Sequence, residues 1–212
     1  MIPLQFALRR RMMMAGGGGG GGGVPISDLP LGTLINVGTD GGAGTPNYEI
    51  ADKDNLVSSG VVLVRKNIHS QSVFGSSNIY PGGTLDNEMT SIYNSLPERL
   101  QSRIMDATFS LKDSGSITRK VFALTYTMMG FGANDGTTEG KALQYYTSDA
   151  NRIKNYNGEL INWWLSSRYY ESYSFVVRPD GLVGYSNSPN SRGVVPAFVI
   201  PGDTLVKNRR FI

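Results

Sequence analysis

Between Ser166 and Arg192, thirteen of 27 residues are Tyr, Ser or Asn, and the chemistry of that mixture is contact rather than bond-making. Tyrosine brings large, rigid, amphipathic area at small entropic cost, and serine and asparagine bring adaptable hydrogen bonds, as in antibody paratopes. The candidate ligand-binding residues are Arg168, Tyr169, Tyr170, Glu171 and Tyr173, followed by Tyr185, Asn187 and Asn190. In this assignment Tyr169, Tyr170 and Tyr173 stack on sugar or apolar surface. Arg168 and Glu171 set a charge preference, and Asn187 and Asn190 hydrogen-bond. The competing assignment is structural: tyrosines alternating on a strand pack inward while Ser and Asn build turns. Tyr173 and Phe175 share one strand face, which predicts that at least one of them is buried.

Bond-making chemistry finds few candidates. His69 is the single histidine, and Ser70 and Ser72 beside it have no G-x-S-x-G context. A catalytic base needs an acid that orients it and a nucleophile next to it, so His69 is expected to face solvent from a loop. Asp52 and Asp54 fall in a turn and Glu139 follows a Gly-Thr-rich loop, whereas glycoside hydrolysis needs two carboxyls across a cleft. Ala133–Glu139 offers oxygen ligands without the EF-hand spacing, and Gly41–Gly44 lacks the lysine of a phosphate loop. The absence of cysteine removes disulfides, thiolate zinc sites and cysteine nucleophiles together. No catalytic residue, metal ligand or cofactor is assigned, and the chain is expected not to be an enzyme.

The elements that must position the tyrosines are a strand pair and what lies beneath it. Phe175–Val177 and Leu182–Gly184 flank Pro179-Asp180-Gly181 and read as a hairpin. Val194–Ile200 reads as a closing strand, and Leu31–Val37, Tyr48–Ala51, Val61–Arg65 and Val121–Thr127 as further strands between glycine and Asp/Asn turns. Leu85, Met89, Ile92, Tyr93 and Leu96 carry the stripe of a core-facing helix. Ser95-Leu96-Pro97-Glu98 looks like a capping box opening a second short helix, and Thr147–Asn157 holds a further helical turn. Scattered strands without βαβ alternation, together with a few helices, predict an α+β fold.

Three zones divide the 212 residues. Met1–Ala15 is apolar and basic and reads as a docking peptide for another structural protein. Gly16–Gly23 is a run of eight glycines, a spacer that orders only where neighbouring chains hold it, by analogy with glycine at a crowded symmetry axis. That predicts a homo-oligomer, with a trimer preferred. Residues 24–212 have globular composition and suffice for a core without disulfides or metals. The net charge of +3 is concentrated in Arg9–Arg11 and in Lys207, Arg209 and Arg210, leaving a nearly neutral middle, so no nucleic-acid face is expected. No apolar run reaches the ~20 residues of a membrane span. The N-terminus is not expected to be a signal peptide, since its arginines follow the short apolar stretch.

The order Asn162-Trp163-Trp164-Leu165-Ser166-Ser167-Arg168, the hairpin, and Arg192-Gly193-Val194-Val195-Pro196-Ala197-Phe198 resembles the C-terminal signature of C-type-lectin-like domains related to formylglycine-generating enzymes. The nearest likeness is to the small bacterial and phage family with WWLRS-type and GVRPAF-type motifs. It extends over roughly residues 31–200 through Tyr48–Ile50, Val61–Lys66, the Leu85–Leu96 helix and Val121–Tyr126. Val195 stands where that family has arginine, and the lack of cysteine excludes the chemistry of the formylglycine-generating enzymes. The resemblance implies a phage structural protein of the tail, neck or capsid surface, joined to other virion proteins through Met1–Ala15. It displays the tyrosine-rich stretch, which such proteins diversify, to a bacterial surface glycan or protein. The expected location is the virion surface, with the bacterial cell surface as the alternative. A collar or decoration protein without a receptor role is the alternative function.

Overall fold

A computed structural model describes residues 22–212. The expected docking peptide Met1–Ala15 and glycines 16–21 lie outside the described residues. The chain runs through β1 (Val24–Pro25), a 3₁₀ turn at Ile26–Asp28, β2 (Leu34–Asn36), β3 (Asn47–Lys53), β4 (Gly60–Arg65) and β5 (Ser70–Val73). Then come α1 (Thr84–Ser95), α2 (Glu98–Gln101), β6 (Ala107–Leu111), β7 (Gly115–Arg119), β8 (Val121–Ala123) and α3 (Asp149–Arg152). The last part holds β9 (Asn155–Tyr156), β10 (Glu159–Leu160), β11 (Trp163–Tyr170), β12 (Tyr173–Val177) and β13 (Val183–Asn187). It ends with β14 (Ser191–Val194), β15 (Pro196–Pro201), β16 (Leu205–Lys207) and β17 (Arg210–Phe211).

This is a β-dominated sandwich and not the expected α+β fold: among the described residues strands take 39% and helices 12%, with three short α-helices. Only α1 matches a long apolar stripe, burying Leu85, Met89 and Ile92. Much of the remainder is strand of two to four residues, too short for an alternation to register in sequence. The larger sheet has eight strands in the order β1-β16-β17-β2-β3-β4-β15-β8, and the smaller has five in the order β13-β12-β11-β14-β5. Two-stranded ribbons β6–β7 and β9–β10 stand apart from them. The expected closing strand is interior: β15 lies between β4 and β8, and Ala197 pairs with both Val64 and Phe122. A run buried on both sides in this way is apolar throughout, as Ala197–Ile200 is.

One core joins the elements, with Trp163, Trp164, Tyr48, Phe74, Phe122 and Phe198 among its largest buried side chains. The Trp164 indole N–H donates to the Ser72 carbonyl at 2.9 Å and its ring meets Phe74 edge-on. Trp163 donates to the Arg152 carbonyl at 3.2 Å. The buried indoles therefore satisfy their polar handles while filling the core. The two sheets are linked where the Ser166 amide donates to the Leu124 carbonyl, just past β8. Val195, at the position of the resembled family's arginine, is buried and apolar.

The expected capping box does not form. Pro97 precedes α2 without a side-chain cap, and the Ser95 hydroxyl instead reaches the Asp40 and Ile92 carbonyls at 2.6 and 2.7 Å. A proline N-terminal to a helix needs no donor partner there, so α2 starts without help from Ser95.

Candidate functional site

Strand β11 carries the site, and an irregularity in it sets the site's shape. Its register against β12 slips between Trp164 and Arg168 and again between Arg168 and Tyr170. A bulge of this kind re-aims side chains, and here consecutive residues Tyr169 and Tyr170 both border one groove. Strands β11 and β12 connect through Glu171 and Ser172, with Tyr170 paired to Tyr173 across the turn. Glu171 is exposed there, in the left-handed region at φ 45°.

Four tyrosines stand out from this surface, with relative exposures of 42% for Tyr169, 64% for Tyr170, 37% for Tyr173 and 60% for Tyr185. Their backbones are fixed by strand pairing: Phe175 opposes Tyr185 and Tyr173 opposes Asn187. The rings form a continuous row. Tyr126 packs on Phe175 with centroids 4.5 Å apart, and Phe175 meets Tyr169 at 5.1 Å. Tyr169 stacks on Tyr185 at 4.8 Å, and Tyr185 meets Tyr173 edge-on at 5.7 Å. Phe175 is the buried member of the Tyr173–Phe175 pair, in line with the strand-face expectation.

The groove of about 340 Å³ beside the row has Tyr126, Tyr169, Tyr170 and Phe175 on its aromatic side and Lys112, Asn134 and Asp135 on its polar side. Lys112 and Asp135 form an exposed ion pair at 2.8 Å, and that lysine holds the Asp135 carboxyl below its ordinary value. Under the groove lies Glu139, fully buried. Its carboxylate accepts from the Lys112 amide at 2.9 Å, the Asn134 side-chain amide at 3.2 Å and the Ser167 hydroxyl. Asn134 also donates to the Arg168 carbonyl at 2.9 Å. The Ala133–Glu139 loop is thereby bolted to β11 directly below the tyrosines. Buried carboxylates need such donors, and here all three are neutral groups.

The remaining predicted residues sit around this centre. Arg168 is half-buried and turned toward Asp113, 3.2 Å away. Asn187 is half-buried, and its side-chain oxygen has no partner among the described residues. Asn190 lies at the β13–β14 turn, where its side chain donates to the Ser186 hydroxyl at 3.4 Å. The structure therefore gathers Tyr169, Tyr170, Tyr173 and Tyr185, flanks them with Arg168 and Glu171, and sets Asn190 apart. Tyr126, Phe175, Lys112 and Asp135 belong to the site and were not expected from sequence. Tyr126 is the continuation of an apolar strand pattern, and nothing local distinguishes it from a core residue.

His69 departs from its expected solvent position: it is 6% exposed. Its Nε2 lies 2.8 Å from the Asp40 carbonyl oxygen, so Nε2 donates, and its Nδ1 lies 3.0 Å from the Ser70 hydroxyl. Ser70 in turn donates to Glu88 at 2.9 Å. The acid holds the serine rather than the imidazole, so the acid–base–nucleophile order of a triad is absent here. Asp52 is buried in β3 rather than placed in a turn, accepting from the Leu56 and Gln144 amides. Burial raises its carboxyl above the ordinary value, with those bonds opposing.

Residues 58–202 match the family described as Domain of unknown function (DUF6273). The chain belongs to that family. No curated protein and no solved structure matches it. The DUF6273 match begins just before β4 and ends just after β15. It takes in the groove, the buried Glu139 and the whole tyrosine row, and leaves out β1, β2, β3, β16 and β17.

Proposed function

We propose that this DUF6273 chain is a non-enzymatic phage structural protein whose tyrosine face binds a bacterial surface ligand, glycan or protein. The observation that carries the proposal is the row of stacked, solvent-exposed tyrosines along a groove floored by Tyr126 and Phe175. Monomeric proteins leave large aromatic surfaces in water sparingly, and contiguous exposed ones mark interaction sites. Aromatic anchors ringed by polar groups are the usual energetic centre of a recognition surface. The row is also rigid before any ligand arrives, because strand pairing and Glu139 fix it from below, which lowers the entropic cost of binding. The likeness of the Trp163–Phe198 motifs to phage receptor-binding proteins supports placement on a virion, with Met1–Ala15 as the attachment to other virion proteins. A site this small gains useful avidity only from several copies.

The test uses the full chain displayed in many copies on beads, probed against a panel of bacterial cell-surface glycans and whole bacteria. Tyr170→Ala/Tyr185→Ala is expected to cut adsorption by about tenfold or more, since each exposed aromatic anchor contributes on the order of 2 kcal/mol. Unfolding temperature should fall by only a few degrees, through loss of the Tyr169–Tyr185 stack. A folded double variant that adsorbs like the parent would sink the proposal.

A further inference from the structure

A second cavity lies on the larger sheet, away from the tyrosine strands, and the proposal above makes no use of it. It holds about 380 Å³, within the range of small-ligand pockets. Its rim carries three arginines from two parts of the chain: Arg99 and Arg103 from α2 and the turn after it, and Arg210 from β17. Its floor is apolar, made by Val37, Leu100 and Phe211. No acidic residue lines it, and none of the three arginines is ion-paired with a described residue. Arg210 pairs in register with Asn36 of β2, and Gly38, also in the lining, follows at φ 94°. Three arginines with no acidic neighbour leave the opening positively charged, which favours an anion there.

We infer that this cavity binds a small amphipathic anion, a carboxylate carried on an aliphatic or aromatic body. The guanidinium fork matches a carboxylate with paired hydrogen bonds, and Val37, Leu100 and Phe211 supply cover for the hydrocarbon that follows it. A bare inorganic anion satisfies the rim and leaves the floor in water; an uncharged hydrocarbon satisfies the floor and leaves the arginines unpaired. The chain's own residues 1–21 are excluded by charge, since they contain arginine and no acidic residue. The cavity joins α2, inside the family match, to β2 and β17, outside it.

Isothermal titration of the full chain with octanoate, 1-hexanol and inorganic phosphate tests the inference. Octanoate is expected to bind saturably at one site, more tightly than either of the other probes, and to weaken as salt is added. Arg103→Glu should weaken octanoate by about tenfold or more, the loss expected when a charged hydrogen-bonding partner is reversed. Lys141→Glu makes the same charge change on the loop after β8, where its ammonium meets the Asn55 carbonyl outside the cavity, and should leave binding within about twofold. Both positions are exposed, and thermal unfolding verifies that each variant folds. No saturable octanoate binding, or equal losses from the two reversals, would overturn the assignment. Tyr170→Ala/Tyr185→Ala should leave octanoate binding unchanged, which separates this site's failure from that of the tyrosine face.

Discussion

The ring of Tyr169 lies flat on the ring of Tyr185, centroids 4.8 Å apart and planes 15° from parallel, so side chains alone join β11 to β13 across β12. The pair is exposed on one side and shared on the other, which gives it both a stability role and a recognition role. Aromatic pairs contribute ~0.5–1.5 kcal/mol beyond the area they bury. Tyr169→Ala is therefore expected to cost roughly 1 kcal/mol, whereas Tyr170→Ala should stay within about 0.5 kcal/mol as an exposed substitution. A double-mutant cycle of Tyr169→Ala with Tyr185→Ala by denaturant unfolding should return a coupling of ~0.5–1.5 kcal/mol. Strict additivity would mean that the rings move independently in solution.

At the tip of the same hairpin, Glu171 adopts φ 45°, where an L side chain crowds the following carbonyl. The conformation costs ~1–2 kcal/mol for ordinary residues and little for glycine, which gives back part of the difference through its more flexible unfolded chain. Glu171→Gly is expected to raise stability by about 0.5–1 kcal/mol. If the Glu171 carboxylate also sets charge preference, cationic ligands should bind the variant less well. A variant less stable than the parent would show that the Glu171 side chain contributes more than its backbone costs.

Trp163 is fully buried and donates to the Arg152 carbonyl, with the Lys154 ammonium 5.9 Å from its ring centroid. Trp163→Ala removes a large core volume and leaves that carbonyl short of a donor, so a loss of ~3–5 kcal/mol is expected. Denaturant midpoints at constant slope measure it. A loss under ~1 kcal/mol, typical of surface sites, would contradict its placement in the core.

The parts of the fold legible in sequence are those where periodicity runs long. Leu85, Met89 and Ile92 are buried along α1 as their spacing predicts. The Pro179-Asp180-Gly181 turn joins the predicted strands, with Asp180 accepting from the Leu182 amide at 3.1 Å. Ala107–Leu111 also alternates buried and exposed, and its pairing with Gly115–Arg119 turns on Asp113 at φ 65°. Asp-Ser-Gly there is a turn signal that the helical patterning upstream obscures. The β-dominated balance was hidden by strands such as β1, β10 and β17, which hold two residues each and draw their order from neighbours. For the site, composition pointed to the tyrosines, whereas Asp135 reaches them through the loop that Glu139 ties down and Tyr126 through its amide's bond to the Ser167 hydroxyl and its packing on Phe175. The burial of His69 is not legible locally, because the Asp40 carbonyl that its Nε2 reaches lies 29 residues back along the chain.

Behind His69, the Arg65 guanidinium and the Asp40 carboxylate are both buried, 2.5 Å apart, with the Tyr48 hydroxyl donating to the same carboxylate at 3.0 Å. Burial alone would push the Asp40 carboxyl up, but the hydrogen bond and charge of Arg65 outweigh it and hold its pKa below the ordinary 3.8. A depressed carboxylate contributes stability that is fully present above the unfolded value and is lost as pH falls through the folded one. The parent's unfolding free energy is therefore expected to drop as pH goes below about 4. Asp52 works the other way, since its raised carboxyl favours the folded state at acid pH and loses that advantage as pH rises. Comparing the parent with Asp40→Asn at each pH cancels Asp52, which both chains share. At neutral pH the variant should lose ~3–5 kcal/mol by stranding a buried guanidinium. The gap between the two chains should narrow steadily toward acid. A gap that stays constant from neutral pH down to about pH 2 would show that the ionised pair is not what holds the Asp40 loop against β4.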